Sequence, residues 1–189
     1  MKVLLGTLVR GVGLVVGVTS TVLVSGPARA DASSQPVSAT RDASDPRWVQ
    51  GQVSVAAPPD EVWAQLKHVD AWTKYFSDIK RFRVLSCAET SCKIQLETKT
   101  LSHGSLPYEV EFLEGRRMKV WTNEMGVKAV TYTTVRQGQT PNESNVVYSM
   151  FLEVSGAPSL LISEKSLRQK QEHMVTTTLE DMNKSFARR

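Results

Sequence analysis

Apolar and polar residues alternate from Trp48 to Val55. Val49, Gly51, Val53 and Val55 fall on one side, and Trp48, Gln50, Gln52 and Ser54 on the other. A period of two predicts a strand with one buried face. The pattern breaks at Pro58-Pro59-Asp60-Glu61, which supplies prolines and acids where a helix begins. Val62, Trp63 and Leu66 follow at helical spacing, and Trp63 is expected to anchor this helix on the sheet edge or on a long helix. Asp70 is expected to cap a second short helix running through Phe76.

Strand periodicity returns at Lys80–Ser86, with Phe82 and Val84 opposing Arg81 and Arg83. After a loop, Ile94, Leu96 and Thr98 oppose Lys93, Gln95, Glu97 and Lys99, which predicts a hairpin with one wet face. Glu114-Gly115-Arg116 suits a three-residue hairpin loop, because Gly115 can take a left-handed conformation. That register pairs Phe112 with Met118, Val110 with Val120 and Tyr108 with Thr122, and Glu111 with Lys119 on the other face. Val127–Gln137 and Ser144–Ser155 form a last strand pair around the turn-rich Gly138–Glu143. Their pattern does not decide which residues face inward. Pro158-Ser159 is expected to open a long helix with an apolar stripe of Leu160, Leu167, Met174, Leu179, Met182 and Phe186. A helix with one such stripe must cover the apolar face of the sheet. The fold class is therefore α+β.

The first thirty residues read differently. Lys2 and Arg10 are the early charges, Gly11–Val24 is largely apolar, and Ala28-Arg29-Ala30 offers small residues at a cleavage site. This is the layout of a secretory signal peptide over residues 1–30. Its apolar core of roughly 14 residues is short of the ~20 that a spanning helix needs. Residues 31–45, rich in Ser, Ala, Asp and Pro, read as a flexible leader, and 46–189 as one domain. Cleavage removes Lys2, Arg10 and Arg29 and no acid, so the net charge of +4 falls by three to +1. The basic balance is then weak grounds for nucleic-acid binding, and no stable membrane anchor is expected. In an exported chain, periplasmic or secreted, Cys87 and Cys92 are expected to pair as a disulfide, with two free thiols as the alternative.

Candidate chemistry is sparse. His68, His103 and His173 have no sequence partner, and nothing near the cysteines completes a metal site. Glu109 and Glu111 share a strand face, but that face also carries Lys119, so a solvated ion pair is the better reading. No nucleophile elbow, P-loop, dinucleotide or zinc-protease motif occurs, and neither a catalytic residue, a metal nor a cofactor is assigned.

The order of elements, together with Ala57-Pro-Pro-Asp-Glu-Val-Trp63 and Ala71-Trp-x-x-Tyr-Phe76, resembles the START-like, helix-grip (SRPBCC) superfamily. That group includes polyketide cyclases, ubiquinone-binding proteins and lipid-transfer domains. The resemblance implies a curved antiparallel sheet, two short helices after the first strand, and a long C-terminal helix laid over the sheet. It also implies that the space between sheet and helix is partly open for a lipid, quinone, sterol or polyketide. The candidate lining from the first two hairpins is Phe82, Leu96, Tyr108, Val110, Phe112 and Val120. Tyr132, Tyr148 and Met150 join from the last strand pair, and Met174 from the helix. The inner strand positions carry no acid or histidine, which favours a binding or carrier protein over a cyclase or dehydratase-like enzyme.

Overall fold

The computed structural model describes residues 37–101, 104–156, 159 and 162–187. The signal-peptide reading, residues 31–36 of the leader, His103 and Leu160 lie outside them. Eight strands form one antiparallel sheet in the order β1-β2-β8-β7-β6-β5-β4-β3. They are β1 Ala39–Arg41, β2 Trp48–Val55, β3 Ile79–Cys87, β4 Ser91–Thr98, β5 Leu106–Leu113, β6 Arg117–Glu124, β7 Val127–Gln137 and β8 Ser144–Val154. Two short helices, α1 Pro59–Lys67 and α2 Trp72–Tyr75, follow β2, and α3 Glu164–Ala187 closes the chain. This is the helix-grip arrangement that the sequence implied.

Local chemistry explains most boundaries. In β2 the burial follows the alternation, with Val49, Gly51, Val53 and Val55 inside. Pro59 stands in the first turn of α1 beside Asp60 and Glu61, and Val62 and Leu66 face the core. The β5–β6 hairpin has the expected register, with Val110 opposite Val120, Glu111 opposite Lys119 and Phe112 opposite Met118. Gly115 and Arg116 take positive φ in its loop. Met125 and Gly126 do the same in the two-residue turn between β6 and β7. Cys87 and Cys92 face each other in the β3–β4 register and are joined by a disulfide.

Several expectations are corrected. Trp72 is the buried anchor of the helical segment: its indole Nε1 donates to the Leu66 carbonyl at 2.9 Å, and its ring packs on Phe76 and Phe82. Trp63 is only half-buried, edge-on to Phe112. Asp70 sits inside a 3-10 turn, Val69–Ala71, and caps nothing. Residues 39–41 of the leader form β1, which pairs with β2, and Arg41 forms an ion pair with Glu172 of α3. The long helix starts at Glu164 rather than at Ser159, where Ser163 Oγ accepts the Ser166 N–H at 3.2 Å.

Two devices set α3 on the sheet. At Gly51 an added Cβ would lie 2.7 Å from Leu179 Cδ1, so the absent side chain lets helix and strand approach closely. Near the helix start, two buried polar residues complement the apolar stripe. Arg168 donates to the Leu152 carbonyl at 2.8 Å and to Gln171 Oε1 at 2.7 Å. Gln171 Nε2 donates to the carbonyls of Met150 and Arg47 at 2.6 and 2.8 Å. The stripe drawn from apolar residues alone misses both.

Candidate ligand cavity

A cavity of about 110 Å³ lies between the inner face of the sheet and α3. Its floor is made of paired residues in rows across the strands. One row runs through Met118, Thr133 and Tyr148, and the next through Val120, Thr131 and Met150. The first row continues to Gly51, where α3 touches the sheet. Met174, Thr178 and Met182 form the roof, because i, i+4 and i+8 stack on one helix face. Trp72 of α2, with Phe76, Asp78 and Ile79 after it, closes one side.

Of the candidates drawn from sequence, Leu96, Tyr108, Val120, Tyr148, Met150 and Met174 stand on the cavity wall. Phe82, Val110 and Phe112 are on the same sheet face but do not reach it. Phe82 is covered by Trp72 and Phe112 by Trp63, while Val110 is fully buried in the core. Tyr132 points to the opposite face, stacked on Trp48 at 6.1 Å beneath the Arg117 guanidinium. The reason is an inverted pattern in β7, where Thr131 and Thr133 face inward and Tyr132 outward. Reading apolar as inside gives the wrong parity there.

The cavity is apolar with a hydroxyl seam. The Tyr148 phenol faces the hydroxyls of Thr131 and of Thr178 in the roof, and Thr131 Oγ1 donates to the Val120 carbonyl. Burial pushes the Tyr148 phenol up to about 12, against the opposing pull of those two hydroxyls. Burial raises the Tyr108 phenol as well, and the neighbouring Tyr148 adds to it. Both are therefore hydrogen-bonding alcohols at neutral pH rather than bases. Thr133 is only 1% exposed, yet its Oγ1 has no hydrogen-bond partner. Thr122 Oγ1 shares that condition but borders a different depression, of about 180 Å³, near Lys93, Glu109 and Glu124. That depression is larger, but charged side chains border it, and Lys93 and Glu109 lie 3.8 Å apart as an ion pair.

Among the described lining residues Asp78 is the one carboxylate, and sequence reasoning missed it because it sits in a link rather than on a strand. Its Oδ1 accepts from Thr100 N and Oγ1 at 3.1 and 2.7 Å. The other candidate groups lie elsewhere. His68 ends α1, His173 is exposed on α3, and Glu111 accepts from Lys119 and Trp121. Among the described residues no cluster of metal-ligating side chains occurs, and no helix is long and apolar enough to cross a membrane.

Comparison with known proteins fits this geometry. Residues 55–175 match the family model described as polyketide cyclase / dehydrase and lipid transport. A START superfamily protein from Mycobacterium smegmatis superposes with a TM-score of 0.64 at 11% identity, covering 75% of this chain and 97% of that one. The Zhui aromatase/cyclase from Streptomyces sp. R1128 gives 0.66 at 16% identity, covering 75% of this chain and 94% of that one. Human StAR-related lipid transfer protein 5 gives 0.60 at 16% identity, covering 80% and 81%. At such identities the likeness is one of fold. No curated protein sequence matches the chain.

Proposed function

The chain belongs to the polyketide cyclase / dehydrase and lipid transport family, and on that premise we propose that it is an exported protein that binds or carries a hydrophobic small molecule between its sheet and α3. The ligand class is a lipid, a quinone or a polyketide-like compound. The observation that carries this reading is the cavity wall, where apolar side chains surround a few fixed hydroxyls, as hydrophobic ligand sites require. Four of the six methionines, Met118, Met150, Met174 and Met182, are gathered there. The space of about 110 Å³ is small beside the roughly 300–1,000 Å³ of a drug-sized site. Methionine is unbranched and flexible, so these four side chains can swing aside to enlarge it. Export is supported by the Ala28-Arg29-Ala30 leader and by the Cys87–Cys92 disulfide, a bond that persists in oxidising compartments.

A catalytic reading, as a polyketide cyclase or dehydratase-like enzyme, rests on Asp78 at the cavity wall. Binding is favoured because that carboxylate is already held by Thr100 and both phenols hold their protons at neutral pH. The test is uptake of a neutral solvatochromic dye. Wild type should bind it with a blue-shifted emission. Ala129 of β7 also lines the cavity, and Ala129→Phe, which fills the floor there, should lose most of that signal while remaining folded. Absence of uptake by wild type would contradict the binding reading. Turnover of a cyclisable substrate that vanishes in Asp78→Asn would favour the enzyme.

A further inference from the structure

The cavity's charges and hydrogen bonds constrain which ligand it accepts. No Lys, Arg or His stands among its described lining residues. Two neighbouring ammonium groups donate to backbone carbonyls, Lys99 to Ser77 and Lys170 to Thr100. The one charged side chain among those described residues is Asp78, an acid. An anionic headgroup placed there would lose its water, meet no cation and face a carboxylate, three unfavourable effects in the same direction. The same desolvation holds both phenols in their neutral form.

The hydroxyls are not equivalent. Thr131 Oγ1 donates to the Val120 carbonyl, and Thr131 and Thr178 both face the Tyr148 phenol. Thr98 Oγ1 accepts from the Leu101 N–H at 3.2 Å. Thr133 Oγ1, between Met118 and Tyr148 in the floor, is buried and unpaired. A hydroxyl left so costs stability, and a valine of the same shape would avoid that cost.

We propose that the cavity selects a neutral hydrophobic ligand bearing a hydroxyl or carbonyl oxygen, which hydrogen-bonds to Thr133 Oγ1, and that it excludes ligands with an anionic headgroup. This rests on the binding reading above and narrows it to long-chain alcohols, ketones or quinones, against fatty acids and phospholipids. Thr133 is then the residue that sets headgroup preference, with Asp78 reinforcing the exclusion.

The experiment is calorimetric titration with ligands of one chain length that differ only at the head, namely an alcohol, a methyl ketone, a plain hydrocarbon and a carboxylate. The alcohol and ketone should bind at least about tenfold tighter than the ionised carboxylate. Thr133→Val should lower the advantage of the alcohol over the hydrocarbon by about fivefold, the worth of one net hydrogen bond. Thr133→Ser, which keeps the hydroxyl, should retain the advantage, and Thr122→Val should leave it unchanged. A carboxylate that binds as tightly as the alcohol would overturn the proposal, as would a Thr133→Val protein with undiminished preference. If every ligand binds equally, only the selectivity fails. If neither the hydrocarbon nor the neutral dye binds, the cavity reading fails with it.

Discussion

Two buried polar regions lie beneath α3, and they are built on opposite terms. At the helix start, Arg168 and Gln171 are almost wholly buried and have several partners each, including the carbonyls of Leu152, Met150 and Arg47. One turn on and beyond, Met174 and Thr178 look down on Thr133, whose buried Oγ1 has none. Both regions belong to the same helix and the same sheet face. The first shows that this fold can match buried polar groups where they hold elements together. The second leaves a buried hydroxyl unpaired among methionines, at the place the binding proposal assigns to a ligand.

The largest effect should come from breaking the matched region. Gln171→Ala removes the donor to two carbonyls and leaves Arg168 short of an acceptor. Stranding a buried polar group costs about 1–3 kcal/mol each, so a melting temperature lowered by many degrees is expected. A midpoint unchanged within error would mean that the two regions do not differ. Thr133→Val should act in the other direction, keeping or raising stability by up to about 1 kcal/mol in denaturant titration, since no partner is lost. A clear destabilisation would show that the hydroxyl is satisfied after all.

A smaller effect concerns pH. The folded Tyr148 pKa of about 12 lies above the ordinary phenol value of ~10. Its contribution is fully present below about pH 10 and is lost as pH rises towards 12, because the unfolded chain releases that proton first. Denaturant midpoints measured across this window should fall, and Tyr148→Phe should fall less steeply. Equal slopes would place the phenol in water.

The sequence was legible where chemistry and periodicity agreed. The Val49–Val55 alternation, the Pro59 helix start and the Phe112–Met118 register all follow local rules, and the structure keeps them. The cavity was half-legible. Tyr148, Met150 and Met174 reach it, but Tyr132 does not, because β7 turns its threonines inward against the hydrophobic pattern. Asp78, Phe76 and Trp72 come to the wall through a segment whose path no periodicity describes. Gln171 was invisible for a related reason, since a polar residue on a helix is normally solvated and only the facing carbonyls of Met150 and Arg47 make its burial favourable.

The most direct test of the cavity is methyl NMR on protein labelled at methionine, titrated with a neutral long-chain alcohol. Met118, Met150, Met174 and Met182 line the space, while Met125, 74% exposed in the β6–β7 turn, is an internal control. A ligand seated between sheet and helix should shift the four cavity methyls and leave Met125 in place. A titration that moves Met125 alone, or no methyl at all, would contradict it.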